Sequence, residues 1–210
     1  MTEPACVVVL GGTFDPIHAG HLAILDQARQ AVDAAAAWLV PAATPPHRRP
    51  THASAEDRLD MARAAAQGHE GVEVLDLEVR RGGLSYTIDT LDTLEAEHPD
   101  TAIWLVLGAD AAREVASWHR AAELLARARF VLVNRSGVAE LGTGEAQRLG
   151  FDLARTRLVH VDSPPISATE IRRRVAAGED VGELVPPGVA ALIAARGLYR
   201  APTPWDNSAG

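Results

Sequence analysis

The sequence predicts an α/β fold, a single domain built on a doubly wound, mostly parallel sheet, and three observations point to it. Short apolar, β-branched runs recur along the 210 residues: "ACVVVL", "AWLVP", "VEVLDLEV", "AIWLVLG", "RFVLVN" and "RLVHVD". Between most of them lie longer stretches with apolar residues at helical spacing, and strands alternating with helices make βαβ units, which build a parallel sheet covered on both faces. The length and a 47% hydrophobic content supply one well-buried core and leave too little for two. The domain is expected over residues 1–200, with the last ten, "APTPWDNSAG", as a loosely held tail.

The elements follow in order. "CVVVL" reads as a central strand ending at Gly11 and Gly12, and a helix starting near Ala19 carries Leu22, Leu25, Ala28 and Val32 on one face. After "AWLVP", the stretch "TPPHRRPTH" (44–52) holds too much proline for a helix or central strand and is a loop. Ser54 with Asp57 has N-cap spacing for a helix with Leu59, Met61, Ala62 and Ala65 inward, closed by Gly68. "VEVLDLEV" reads as the next strand, and "IDTLDTL" as a helix before "AIWLVLG". Beyond "RLVHVD", Pro164 and Pro165 fix the approach to a helix in which Ser167 and Glu170 have capping-box spacing. "VPPGVAALIAARG" sets prolines at a helix start and Gly197 past its end.

Composition narrows the function. The net charge of −8 leaves no excess of positive charge to displace counterions, which argues against a general binder of nucleic acid or anionic membranes. All 20 basic residues are arginine, so any phosphate must be met by guanidinium, imidazole or main-chain N–H groups. A lone Cys6 excludes an internal disulfide and fits a reducing compartment. No stretch approaches the roughly 20 apolar residues of a membrane span, and no basic leader is seen, so the protein reads as cytoplasmic.

The stretch "GGTFDPIHAGHL" (11–22) carries the chemistry. At the carboxyl end of a central parallel strand, where open α/β sheets bind ligands, Gly11 and Gly12 permit close approach of the backbone, and the following helix aims its free N–H groups at the same spot. His18 and His21, three residues apart on the first helical turn, can lay two ring donors against one anion. Zinc competes for these rings, but only Asp15 is a nearby carboxylate and neither HExxH nor paired cysteines occur, so no metal ligands are assigned. A second helix N-terminus, "SPPISATEIRRR" (163–174), offers the hydroxyls of Ser167 and Thr169 and a guanidinium, Arg172, able to fork two phosphate oxygens. Arg173 and Arg174 read as surface.

Taken together, "GGTFDPIHAGHL" and "ISATEIRRR" resemble the HxGH nucleotidyltransferase superfamily. "TPPHR", "RGGLSYTIDTL", "GAD" and "SWHRAAELL" between them resemble the bacterial nicotinate-nucleotide adenylyltransferases, with the likeness running from about residue 7 to about residue 200. The resemblance implies a Rossmann-like nucleotidyltransferase fold and direct in-line attack of the nicotinate mononucleotide phosphate on the α-phosphorus of ATP. The products are deamido-NAD and pyrophosphate, made in NAD biosynthesis with Mg2+ riding on the ATP. A homo-oligomer is left open.

By the same resemblance, His18 and His21 contact the ATP phosphates, and Ser167 and Arg172 hold the β and γ phosphates with Thr169 beside them. Gly11, Gly12, Thr13, Phe14 and Gly20 shape the adenylate pocket by backbone approach. His47 and Arg48 resemble a phosphate-contacting pair. The main chain of Tyr86 and Thr87 receives the nicotinate carboxylate, Trp118 stacks on the pyridine, and Asp110 meets a ribose hydroxyl. Plainer roles stay open for several: Trp118 as packing, Asp110 as a helix N-cap, Tyr86 and Thr87 as a helix start, Asp15 before Pro16 as a turn former. Family members often carry asparagine where this chain has Ala42, and serine where it has Ala168. The first departure removes a side-chain amide from the nicotinate pocket.

Overall fold

The computed structural model describes residues 5–46, 50–135, 139–161 and 166–200. In chain order the elements are β1 (Ala5–Gly12), α1 (Ala19–Ala31), β2 (Ala36–Pro41), α2 (Ala55–Ala66), β3 (Val72–Val74), α3 (Leu77–Arg81) and α4 (Thr87–Glu97). There follow β4 (Thr101–Gly108), α5 (Ala109–Arg113), α6 (Ala121–Arg127), β5 (Arg129–Arg135), α7 (Thr143–Arg148), β6 (Thr156–Val161), α8 (Ala168–Ala176) and α9 (Pro187–Arg196). The six strands form one sheet in the order β3-β2-β1-β4-β5-β6, every pair parallel. The first three strands step one way from β1 and the last three the other way, so the order reverses between β1 and β4, and a crevice opens outside their carboxyl ends.

Strand alternation explains why both faces are covered. Val8 and Leu10 point to one side, where they join Leu22, Leu25 and Ala28 of α1, Met61 and Ala62 of α2, Ile171 of α8 and Ile193 of α9. Val7 and Val9 point to the other, with Ile88, Leu91 and Leu94 of α4 and Leu124 of α6. Successive side chains on a strand face opposite ways, so a run such as "VVVL" must be apolar throughout to feed two cores.

The expected helix signals are largely met. Ser54 Oγ accepts from Asp57 N at 3.0 Å, Ser167 Oγ accepts from Glu170 N at 3.1 Å, and Gly197 ends α9 in the left-handed region at φ 62°. Glu170 does not complete the capping box, because its carboxylate is taken by Arg173 and Arg174.

One expectation is corrected. "VEVLDLEV" is not a continuous strand: β3 stops at Val74, and Leu77–Arg81 is the short helix α3. β2 pairs with β3 only from Ala37 to Leu39, and Leu75 N to Leu39 O is the last rung. Beyond it the backbone has no ladder to join, so Arg80 N and Gly82 N bond back to Asp76 O and Glu78 O. The residues expected to form the tail, 201–210, lie outside the described residues.

Candidate active site

The first motif sits at the reversal point. β1 runs through Gly11 and Gly12, and the chain then turns sharply at Phe14, which takes a left-handed conformation at φ 49° and buries its ring. A Cβ on Gly12 would stand 2.7 Å from that ring, so glycine there is a condition of the turn. His18 is the N-cap of α1 and His21 lies in its first turn. Their rings stack with centroids 3.7 Å apart, and Phe14 meets His21 edge-on at 5.1 Å. Gly20 permits this, since a Cβ there would come within 3.1 Å of His18 Nδ1.

The two rings are electrically different. His21 Nδ1 accepts from the His18 main-chain N–H at 3.2 Å, so the neutral ring carries its proton on Nε2. His18 is buried, 4% exposed, and its Nδ1 has no hydrogen-bond partner. Burial, reinforced by the nearby Arg135 guanidinium, lowers its pKa from 6.5 to about 4. The ring is therefore neutral at pH 7 and acts as a hydrogen-bonding dipole. Because the unfolded chain takes up this proton near pH 6.5 and the folded chain only near 4, stability falls as the pH drops through that window. The loss is on the order of 3 kcal/mol and levels off below it. Urea midpoints measured across pH 4 to 7 check this, and the His18→Asn variant is expected to show a shallower decline.

The second motif comes to the same place. Ile166 Cβ would lie 3.9 Å from a Cβ on Gly20, and Arg172 Nη1 donates to Asp15 O at 2.6 Å across 157 residues of sequence. Arg172 Nη2 also donates to Thr169 Oγ1 at 3.2 Å, so the guanidinium is held between the two motifs. Ser167 and Thr169 lie exposed on the first turn of α8. Arg173 and Arg174 pair with acidic neighbours at the surface.

Beside this cluster a cavity of about 210 Å³ opens, lined by Ser85, Tyr86, Thr87, Asp110, Trp118 and His119, with Pro45 and Pro46 at its edge. Tyr86 is the N-cap of α4 and Thr87 its first residue, so the start of that helix faces the cavity. Trp118 lines it while also packing against the core behind α4, and both of its anticipated roles are compatible. Asp110 is not an N-cap: Gly108 holds that position in α5 and no side-chain capping bond is made. The Asp110 carboxylate instead stands 3.6 Å from Arg135 and is exposed, with its Oδ1 only 2.6 Å from where a Cβ on Gly108 would be. His47 and Arg48 lie outside the described residues.

Several contacts of the site have no signal in the sequence. His119 stacks on Tyr86 with centroids 4.4 Å apart, and Arg135 closes β5 near both His18 and Asp110. Asp15 is a hub: its buried carboxylate accepts from His52 N at 2.8 Å, Ala53 N at 3.1 Å and Tyr199 Oη at 2.8 Å. Arg58 is wholly buried beneath the first motif. An arginine among the apolar positions of a helix was the one available signal for Arg58. The others need the fold, since their partners are distant in sequence. Among the described residues no group of three or more His, Cys, Asp or Glu is arranged to hold a metal ion, and no helix is long and apolar enough to cross a membrane.

Known proteins of similar sequence and fold give the family. The cytidylyltransferase-like family profile matches residues 9–174. A relative from Aeromonas hydrophila, named "Probable nicotinate-nucleotide adenylyltransferase", is 41% identical over 205 residues, covering 91% of this chain and 96% of its own. One of the same name from Exiguobacterium sibiricum is 37% identical over 191 residues, covering 91% and 97%. Among solved structures, the Plasmodium falciparum nicotinic acid mononucleotide adenylyltransferase complexed with NaAD shares the fold at a TM-score of 0.78. It has 20% identity and covers 92% of this chain and 97% of that one. With the family profile spanning most of the chain and sequence likeness running nearly end to end, the chain belongs to the cytidylyltransferase-like family and, within it, to the nicotinate-nucleotide adenylyltransferases.

Proposed function

We propose that the protein joins ATP and nicotinate mononucleotide to give deamido-NAD and pyrophosphate in NAD biosynthesis, by direct in-line displacement. A phosphate oxygen of the mononucleotide forms a bond to the α-phosphorus of ATP while the bond from that phosphorus to the bridging oxygen breaks and pyrophosphate leaves. The observation that carries the reading is the meeting of two helix N-termini at the crevice, with His18 and His21 stacked on one and Arg172 tied to the other, beside a separate cavity of the right make-up for a pyridine ring.

The attacking phosphomonoester is already anionic at neutral pH, so no general base is needed, and the work is positioning and charge stabilisation. His21 Nε2–H and the neutral His18 ring donate to oxygens of the α-phosphoryl group, where charge builds in the transition state. Arg172, Ser167 and Thr169 meet the β and γ phosphates. Gly11, Gly12, Thr13, Phe14 and Gly20 shape the adenylate side. Mg2+ arrives on ATP as part of the substrate and spreads charge over its phosphates. Tyr86 and Thr87 present the start of α4 to the nicotinate carboxylate, Trp118 stacks on the ring, Asp110 takes a ribose hydroxyl, and His47 and Arg48 meet the mononucleotide phosphate. The reading includes a cytoplasmic setting, where a lone thiol stays reduced.

The pocket's bias between acid and amide rings follows from what is left to bind them. Ala42 offers a methyl group, and the Ala43 N–H is already donated to Ser85 Oγ at 2.9 Å. The positive end of α4 is then the main attraction for a carboxylate. Pyrophosphate release from ATP is expected to be about tenfold or more faster with nicotinate mononucleotide than with the amide, in the range of a charge-assisted hydrogen bond. Equal rates would remove the carboxylate-selective pocket and leave adenylyl transfer standing. Turnover with CTP in place of ATP would overturn the nucleotide assignment.

A further inference from the structure

Arg58, the fourth residue of α2, is among the largest fully buried side chains of the described residues, and it is charged. Its Nη1 donates to Thr13 O and to Ala42 O, both at 2.6 Å, and its Nη2 donates to Ala43 O at 2.8 Å. These are neutral carbonyls, and among the described residues no carboxylate stands at ion-pair distance from the guanidinium. Burial lowers its pKa from the ordinary arginine value, a sign of what desolvation costs at this position. An apolar side chain of similar size would avoid that cost but leave three carbonyls without their donor, so the reason for a cation here lies in what it holds.

The identity of the three carbonyls supplies a better reason. β1 and β2 are adjacent, with Gly12 opposite Pro41, and Ala42 N to Gly12 O at 2.9 Å is their last shared bond. From there the two strands part. Thr13 leads into the turn that carries His18 and His21. Ala42 and Ala43 lead towards the cavity, where Ala43 N is held by Ser85 Oγ beside Tyr86. Arg58 sits in the fork and grips both branches. Resting on the function proposed above, we infer that Arg58 is a positioning residue that sets the separation of the ATP and mononucleotide subsites. Its contribution is to bring the attacking oxygen and the α-phosphorus within reach of each other, more than to bind either substrate.

Because a misplacement of about 1 Å can cost about 100-fold in rate, the test compares ligands that fill one subsite with a ligand that spans both. Calorimetric titrations of wild type, Arg58→Lys and Arg58→Gln use an ATP analogue with a methylene between the α and β phosphorus, nicotinate mononucleotide, and deamido-NAD. Lysine keeps the charge but has one nitrogen for three carbonyls; glutamine keeps a donor and discards the charge. The single-site ligands are expected to bind within about threefold of wild type, while deamido-NAD weakens about tenfold or more. The kcat falls by about tenfold to thirtyfold with both KM values nearly unchanged. Unchanged affinity for deamido-NAD, or equal weakening of all three ligands, overturns the inference. So does failure of both variants to give a cooperative thermal transition, since Arg58 would then be a requirement of folding. Wild-type protein that binds both substrates but not deamido-NAD would instead sink the proposed function.

Discussion

Replacing His21 or His18 with alanine is expected to lower kcat about 100-fold or more, the range for a lost donor to a developing negative charge. Turnover read as pyrophosphate release, together with the thermal midpoint of each variant, checks this. His21 is partly exposed, so its loss should leave the fold intact; His18 is buried, and its thermal midpoint separates lost turnover from lost stability. The two effects should not add in full. The rings are stacked and His21 Nδ1 is bonded to the His18 backbone, so removing either disturbs the other, and a double variant should cost less than the product of the singles. Wild-type turnover in both single variants would end the assignment.

Arg172→Ala is expected to reduce kcat/KM for ATP about 100-fold, and Arg172→Lys about tenfold. Two of the guanidinium's five N–H donors are committed to Asp15 O and Thr169 Oγ1, which fixes the plane of the group and leaves others to meet phosphate oxygens. A lysine supplies the charge but cannot hold Asp15 and fork two oxygens at once. Initial rates against ATP at saturating mononucleotide separate the two variants. Equal loss in both would mean that planarity matters as much as charge. No loss in Arg172→Ala would place the triphosphate elsewhere.

Much of this site was legible along the chain because its parts are local. Gly11, Gly12, His18, Gly20 and His21 act within one strand, one turn and one helical turn, where spacing alone dictates who faces whom. The same holds for Ser167 as the cap of α8 and for Tyr86 and Thr87 at the start of α4. Where local pattern misled, it did so for want of a partner: "VEVLDLEV" has a strand's composition, but β2 offers it only three rungs, and the remainder closes its hydrogen bonds as α3. The stretch "WLVLGA" before Asp110 suggests a cap, yet the helix starts two residues earlier than that role requires.

The alternation of strands and helices and the apolar runs that cover both faces of the sheet are written locally along the chain, as are the two helix starts that carry His18, His21, Ser167 and Arg172. That those two helix starts meet depends on the fold, through a bond between Arg172 and Asp15 that spans 157 residues. Only the folded arrangement buries His18, which favours its neutral ring, and sets Arg58 against the backbones of two diverging loops. The physical reason is that periodicity and capping depend on neighbours a few residues away. Burial, desolvation and the company a charge keeps depend on which distant segments the fold brings to the same crevice.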